Sequence, residues 1–245
     1  MWMSVKDSSA RKLTGETMRK SRAFIIVSLV AIAVTLAFVL PGCGKKETSA
    51  SDPTDGRPES VTAYEAVQYT KPAASKWQAN NWMIQVRSGD PDGIGKDGKA
   101  KIWEVYYFSP VPEEDSQMFV IYNRGNVWPN APGSAKGGDK GLETYRKGKP
   151  VAFRVDSPEA LEVANRNGGG DFLDGNPDAH PNAVLRCKAD YDAIGETMPS
   201  PKYKWIWDVY YRVSKAGSDV LHIYVDGMNG DFITKNLQKT PSQSQ

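Results

Sequence analysis

From position 204 to 213 the chain alternates without a break: Trp205, Trp207, Val209, Tyr211 and Val213 fall on one side of an extended segment, and Lys204, Ile206, Asp208, Tyr210 and Arg212 on the other. A period of two marks a strand with one apolar and one mixed face. Residues 220–225 repeat the pattern, with Leu221, Ile223 and Val225 set against Val220, His222 and Tyr224, and residues 215–219 supply a turn between the two. The prediction is an antiparallel hairpin that turns an apolar wall toward a core.

The same signal occurs earlier. Residues 102–107 read IWEVYY and residues 206–211 read IWDVYY, differing only where Glu104 stands against Asp208. Downstream, MFVIYNRGNV (118–127) parallels VLHIYVDGMNGDF (220–232), with Ile121 and Tyr122 matched to Ile223 and Tyr224. Two matches in the same order predict an internal duplication. On that alignment Trp103, Val105 and Tyr107 share the apolar wall with Phe119 and Ile121, across a loop at 110–116. Residues 82–87 and 183–189 are expected as leading strands.

A helix should cover each wall. In Asp156-Ser-Pro-Glu-Ala-Leu-Glu-Val-Ala164, Ser157 is placed at the N-cap, Pro158 at the first helical position, Glu159 in the first turn, and Gly168 beyond the last turn. Residues 61–77 are helical in composition, with Pro72 expected to break or kink the helix near its middle. The expected fold class is α+β, as two related units that each pack a helix on one face of an antiparallel sheet. They span 60–128 and 143–237, joined by a Gly/Pro/Ser-rich linker at 129–142 and followed by a disordered tail at 238–245.

The N-terminal 43 residues follow a different pattern. Residues 23–40 hold 18 positions without a charge, preceded by Lys6, Arg11, Lys12, Arg19, Lys20 and Arg22 against Asp7 and Glu16. A basic stretch before an apolar one is the layout of an export signal. Eighteen apolar residues also reach the lower limit for spanning a bilayer, so an uncleaved anchor is the competing expectation. Leu40-Pro-Gly-Cys43 resembles a bacterial lipobox, with cleavage between Gly42 and Cys43 and lipid attached to Cys43. Pro41 is an unusual occupant of its slot. Met18 opens a signal of ordinary length and is an alternative start. Residues 44–59, with no hydrophobic period, read as a flexible tether.

This leader reverses the sign of the charge. The chain carries 31 Lys and Arg against 29 Asp and Glu; without residues 1–43 it keeps 25 against 27 and becomes slightly acidic. No electrostatic reason to bind nucleic acid remains. The expected partners are the membrane, through lipidated Cys43, and an envelope protein or peptide. By resemblance to Gram-negative lipoproteins, Gly44 after the Cys implies the outer membrane, facing the periplasm.

The chain offers little for catalysis. His180 and His222 lie in no two-histidine motif, and Cys187 is expected as a packed strand residue, without a disulfide partner once Cys43 is lipidated. Asp90, Asp92 and Asp97 crowd a loop, but an EF-hand starting at Asp90 would place Ile94 at its fifth position and Lys101 at its twelfth. A turn is the better account, and neither a metal nor a cofactor is expected. Glu104, Asp208, Asp226 and Asp231 are carboxylates from which a hydrolase pair could be drawn, although nothing in their spacing selects one. The chain is expected not to be an enzyme. Glu104, Tyr106, Asp208, Tyr210, His222 and Tyr224 fall on the mixed strand faces. Exposed, they offer an aromatic and acidic binding surface; buried by stacking of the two units, they form an interface within the molecule. The stacked arrangement is preferred.

The segments Ser157-Pro-Glu-Ala-Leu-Glu-Val-Ala164, Trp207-Asp-Val-Tyr-Tyr211, Ile223-Tyr-Val-Asp226 and Gly230-Asp-Phe-Ile233 give residues 151–234 a resemblance to PepSY-like domains. The first unit departs from the pattern, having Asn123-Arg124 where the second has Val225-Asp226. The resemblance implies a small exported α+β module, often membrane-associated, and no catalytic residue. The function it supports is binding at the cell envelope. An inhibitor or chaperone-like regulator of an exported peptidase is the alternative, and an envelope hydrolase the alternative of another class.

Overall fold

The computed structural model describes residues 56–110, 116–199, 201–213 and 219–239. The export signal, Gly42, Cys43 and most of the tether lie outside them, as do the end of the tail and the turn expected at 215–219. None of the described helices is long and apolar enough to cross a membrane.

One eight-stranded antiparallel sheet organises the fold, in the order β4-β3-β2-β1-β5-β6-β7-β8. Helix α1 (Ala63–Trp77) leads into β1 (Trp82–Ser88), β2 (Ile102–Phe108), β3 (Gln117–Asn123) and β4 (Asn126–Pro129). Helix α2 (Gly138–Lys147) is followed by α3 (Ser157–Ala164), which runs through a π turn (Asn165–Gly169) into α4 (Gly170–Gly175). Then come β5 (Ala179–Cys187), α5 (Lys188–Ile194), β6 (Trp205–Val213), β7 (Val220–Asp226) and β8 (Phe232–Gln238). Each half thus has helix before strand and four sequential antiparallel strands, with α5 inserted between β5 and β6 in the second, and the first strand of one half pairs with the first strand of the other. At this seam Gln85, Val86 and Arg87 face Arg186, Leu185 and Val184. The mixed faces therefore lie side by side on one surface of the sheet, where stacking of the halves was expected.

The opposite surface carries the core. Trp103, Val105, Tyr107, Trp207, Val209 and Tyr211 are fully buried there under α1 and α3. Their polar tips are satisfied in parallel ways. Trp103 Nε1 donates to the Val61 carbonyl at 2.8 Å, and Trp207 Nε1 to the Val155 carbonyl at 2.9 Å. Both acceptors immediately precede a helix N-cap, Thr62 or Asp156. Tyr107 Oη lies 2.9 Å from Thr70 Oγ1 at the middle of α1, and Tyr211 Oη donates to Asn165 Oδ1 at 2.8 Å past the end of α3. Each repeated hexapeptide thus ties a helix to the sheet at two points without leaving a buried donor unpaired.

The two helices meet head to head. The Asp156 carboxylate accepts from Ser157 N and from Tyr64 N, while Ser157 Oγ accepts from Ala63 N and donates to the Gly98 carbonyl. Gly98, at φ +75°, passes so close to Pro158 that a Cβ would stand 2.3 Å from its Cα; only glycine fits both the conformation and the space.

Several expectations change. The N-cap of α3 is Asp156, because its carboxylate reaches the first free N–H; Ser157 is the first helical residue. Helix α1 continues through Pro72, held at its start by a reciprocal capping box between Thr62 and Glu65. The second leading strand ends at Cys187, and residues 188–194 turn into α5. The expected linker carries the end of β4 and the start of α2, and β8 extends to Gln238. Helices α2 and α5 then roof one end of the mixed surface, with Tyr145 stacked on Phe108 at 5.0 Å between ring centroids.

The largest correction is one of register. Glu104 faces Ile121, and Trp103 faces Tyr122; in the second half Asp208 faces Tyr224, and Trp207 faces Val225. Ile121 is therefore the counterpart of Tyr224, one position away from the alignment that the shared Ile-Tyr pair suggested. A one-residue slip exchanges the faces of a strand. Met118, Val120 and Tyr122 are the buried core residues of β3, and Phe119 and Ile121 are on the mixed surface.

Candidate functional site

The uncovered part of the mixed surface contains a groove of about 600 Å³ that crosses the seam. Glu104 from β2, Asp208 and Tyr210 from β6 and His222 from β7 line it, four of the six residues singled out in the sequence. Arg87 and Ser88 from β1, Asn182, Val184 and Arg186 from β5, and Arg212 from β6 complete the floor and sides. Strand alternation groups Asn182, Val184 and Arg186 on β5 and Asp208, Tyr210 and Arg212 on β6, and antiparallel pairing sets Glu104 and His222 beside them from β2 and β7.

Both carboxylates that differ between the repeated hexapeptides are held within their own half. Arg87 meets Glu104 at 2.6 Å across the β1–β2 pair, and Tyr106 Oη donates to the same oxygen at 2.8 Å. Asp208 pairs with His222 Nδ1 at 2.9 Å across β6–β7. This hydrogen bond to Asp208, against the opposing effect of burial, holds the imidazole above its ordinary value and thus toward its charged form. Asp90, at the groove margin, accepts from the backbone N–H groups of Asp92 and Lys101. Its carboxylate closes a turn, and no group of three or more metal-ligating residues occurs among the described residues.

Tyr106 and Tyr224 flank the groove without lining it. Tyr106 stacks on Phe119, with the Lys136 ammonium 4.5 Å from its ring centroid, and burial followed by the Glu104 hydrogen bond pushes its phenol up to about 12. Tyr224 stacks on His222, which stacks in turn on Tyr210. Burial pushes the Tyr224 phenol up to about 12 as well. These phenols remain protonated donors near neutral pH. The Tyr210–His222–Tyr224 row is partly exposed on the mixed surface.

Below the roof of α2 and α5, the fully buried Asp190 accepts from Tyr145 Oη at 2.6 Å and has Lys136 Nζ at 3.8 Å and Arg186 Nε at 3.7 Å. Lys136 also donates to Gln85 Oε1 at 2.8 Å. This network fixes the roof to the seam and so sets one end of the groove. Cys187 lies on the core side at 1% exposure, and burial pushes its thiol up to about 12. It is not a nucleophile near neutral pH.

The sequence reading missed Arg87, Asn182 and Arg186 at this site. Their strands were identified as leading strands, but their faces could be assigned only after the pairing of β1 with β5 across a separation of 95 positions was known, as in the contact of Ser88 Oγ with Ala183 N at 3.0 Å.

No protein-family model matches the chain, and no curated protein matches it. Among solved structures, the "putative lipoprotein (CD1622)" from Clostridium difficile 630 is similar at 12% identity, over 71% of this chain and 93% of that one, with a TM-score of 0.41. A likeness this remote carries neither fold nor function across.

Proposed function

We propose that the chain is a lipid-anchored protein of the bacterial cell envelope, attached through Cys43, that acts by binding through the uncovered face of its sheet. Under this reading its two halves are duplicated PepSY-like units. The observation that carries the binding role is the groove over the seam: it is lined from both halves, yet Glu104 and Asp208 are each engaged by a partner in their own half. Carboxylates held in this way suit a fixed recognition surface better than paired acid and base chemistry, in which one carboxyl group must be free to exchange a proton. The apolar run at 23–40 and the lipobox-like Leu40-Pro-Gly-Cys43 support the anchor. In a Gram-negative host the expected location is the periplasmic side of the outer membrane.

Two measurements on the full chain, expressed in its host, test this reading. Cys43→Ser should move the protein from the membrane fraction to the soluble one; unchanged precursor size and membrane attachment would overturn the lipid anchor in favour of an uncleaved helix. A photo-crosslinking residue at Tyr210 should give a discrete adduct that the same residue at Glu162, exposed on α3, does not. Equal labelling at both positions, or none at either, would overturn the assignment of the binding face.

A further inference from the structure

The groove contains an unused donor. Asn182 is 2% exposed on the groove floor, and its amide Nδ2 is buried without a hydrogen-bond partner. Leaving such a group unpaired is destabilising, and a ligand bringing an acceptor atom would recover that loss. Asn182 sits directly opposite Tyr210, and Arg212 is the next residue of β6 on the same face, opposite His180. Arg212 is exposed and lines the same groove as the buried amide donor.

The remaining charges define what the acceptor can be. Three guanidinium groups, of Arg87, Arg186 and Arg212, the imidazole of His222, and three carboxylates, of Asp90, Glu104 and Asp208, line the groove. Each carboxylate is held by another group: Asp90 by backbone N–H groups, Glu104 by Arg87 and Tyr106, and Asp208 by His222. Arg186 pairs with Glu196 at 2.6 Å outside the groove. The ligand must therefore supply the negative charge that Arg212 and Asn182 would receive. Repulsion from the three lining carboxylates grows with the charge of the ligand, so a single negative charge is opposed about half as strongly as a doubly charged phosphate. The volume suits a small molecule or a short length of peptide.

Resting on the binding role proposed above, the geometry points to a carboxylate-binding subsite formed by Arg212 and Asn182 in the groove between the two halves. The carboxylate takes a charge-assisted hydrogen bond from the guanidinium and a second from the Asn182 amide, so that recognition combines charge with a buried donor. Its source is either a free small carboxylate or an acidic side chain in a peptide, and the two are separable by experiment.

The test uses the full chain in detergent micelles at constant ionic strength, following the side-chain amide signal of Asn182 by NMR. The probes are acetate, inorganic phosphate, the capped peptide acetyl-Gly-Glu-Gly-amide and its Gln counterpart. The Glu peptide should shift the signal saturably, and the Gln peptide should bind at least about tenfold more weakly, the effect of one lost charge-assisted contact. Arg212→Gln, a change at an exposed position, should weaken binding by about the same factor. Asn182→Asp, which replaces the donor by a like charge, should abolish binding as read by calorimetry. Acetate binding as tightly as the Glu peptide would assign the site to small carboxylates, and preference for the peptide would assign it to acidic segments. Either result supports the subsite. Equal binding of the Glu and Gln peptides, tighter binding of phosphate, or unchanged affinity in Arg212→Gln would overturn it while leaving the uncovered face as a binding surface. The absence of a saturable shift with every probe would also overturn it, and the Tyr210 crosslink would then report separately on the face.

Discussion

The two halves of the sheet are alike on one face and different on the other. Beneath the helices, Trp103 and Trp207 bond to the carbonyl that precedes an N-cap, and Tyr107 and Tyr211 reach a polar side chain farther along. On the uncovered face, Glu104 is held by an arginine and a tyrosine, Asp208 by a histidine, and the neighbours on the third strand are Phe119 and Ile121 in one half but His222 and Tyr224 in the other. Burial explains the contrast. A fully buried Trp N–H or Tyr O–H must have a partner at a fixed place, so the covered face tolerates few solutions. A partly exposed charge can exchange one partner for another, or for water, at small cost. The likeness of the halves is therefore a property of packing, and their difference is where specific recognition is located.

Truncating the paired tryptophans should have the largest effect. Trp103→Ala and Trp207→Ala each empty a fully buried site, and each is expected to cost about 3–5 kcal/mol in urea unfolding of the full chain. A loss in one variant only would break the equivalence of the halves. Asp156→Ala should cost about 1–2 kcal/mol and Thr62→Ala about 1 kcal/mol, because the Asp156 carboxylate receives N–H groups from both helices while Thr62 caps only its own. Equal costs would mean that the shared cap adds nothing. Tyr107→Phe and Tyr211→Phe should each cost about 1 kcal/mol, the net value of one buried hydrogen bond.

The smallest effect separates the uncovered faces by pH. His222 has a folded-state pKa raised above its ordinary value of 6.5, chiefly by its hydrogen bond to Asp208. Its contribution to stability is fully present below the unfolded pKa and is lost as pH rises through the folded one. The urea midpoint should therefore decline across the neutral range in the native chain and in Arg87→Gln, and decline less in His222→Gln. Equal slopes in all three would show that the Asp208–His222 pair is not the source.

Much of the second half was legible from alternation alone. Trp205, Trp207, Val209 and Tyr211 are buried together, and Asp208 and Tyr210 stand on the other face, because a strand with one polar side shows its faces directly in the sequence. In the first half the uncovered face is itself apolar at Phe119, Ile121 and the exposed Trp128. The run Met-Phe-Val-Ile-Tyr then has no alternation to read, and the shared Ile-Tyr pair suggested a register one residue out. Pro72 was expected to break α1, but the helix is held by its capping box and by packing of Ala66, Thr70 and Ala74 against the sheet. The groove was partly legible: the carboxylates and aromatics on β2, β6 and β7 stood out, while Arg87, Asn182 and Arg186 did not.

The sequence by itself determined the α+β class, the core face of the second hairpin and the apolar run at 23–40. Each is a local property, written in a period of two, a period of 3.6 or an uninterrupted stretch. Tertiary structure alone decided that the halves join edge to edge, that β1 and β5 form the seam, and that α2 and α5 roof one end of the mixed surface. These outcomes depend on which strand edge finds which partner, a choice set by non-local hydrogen bonds and burial that short-range periodicity does not record.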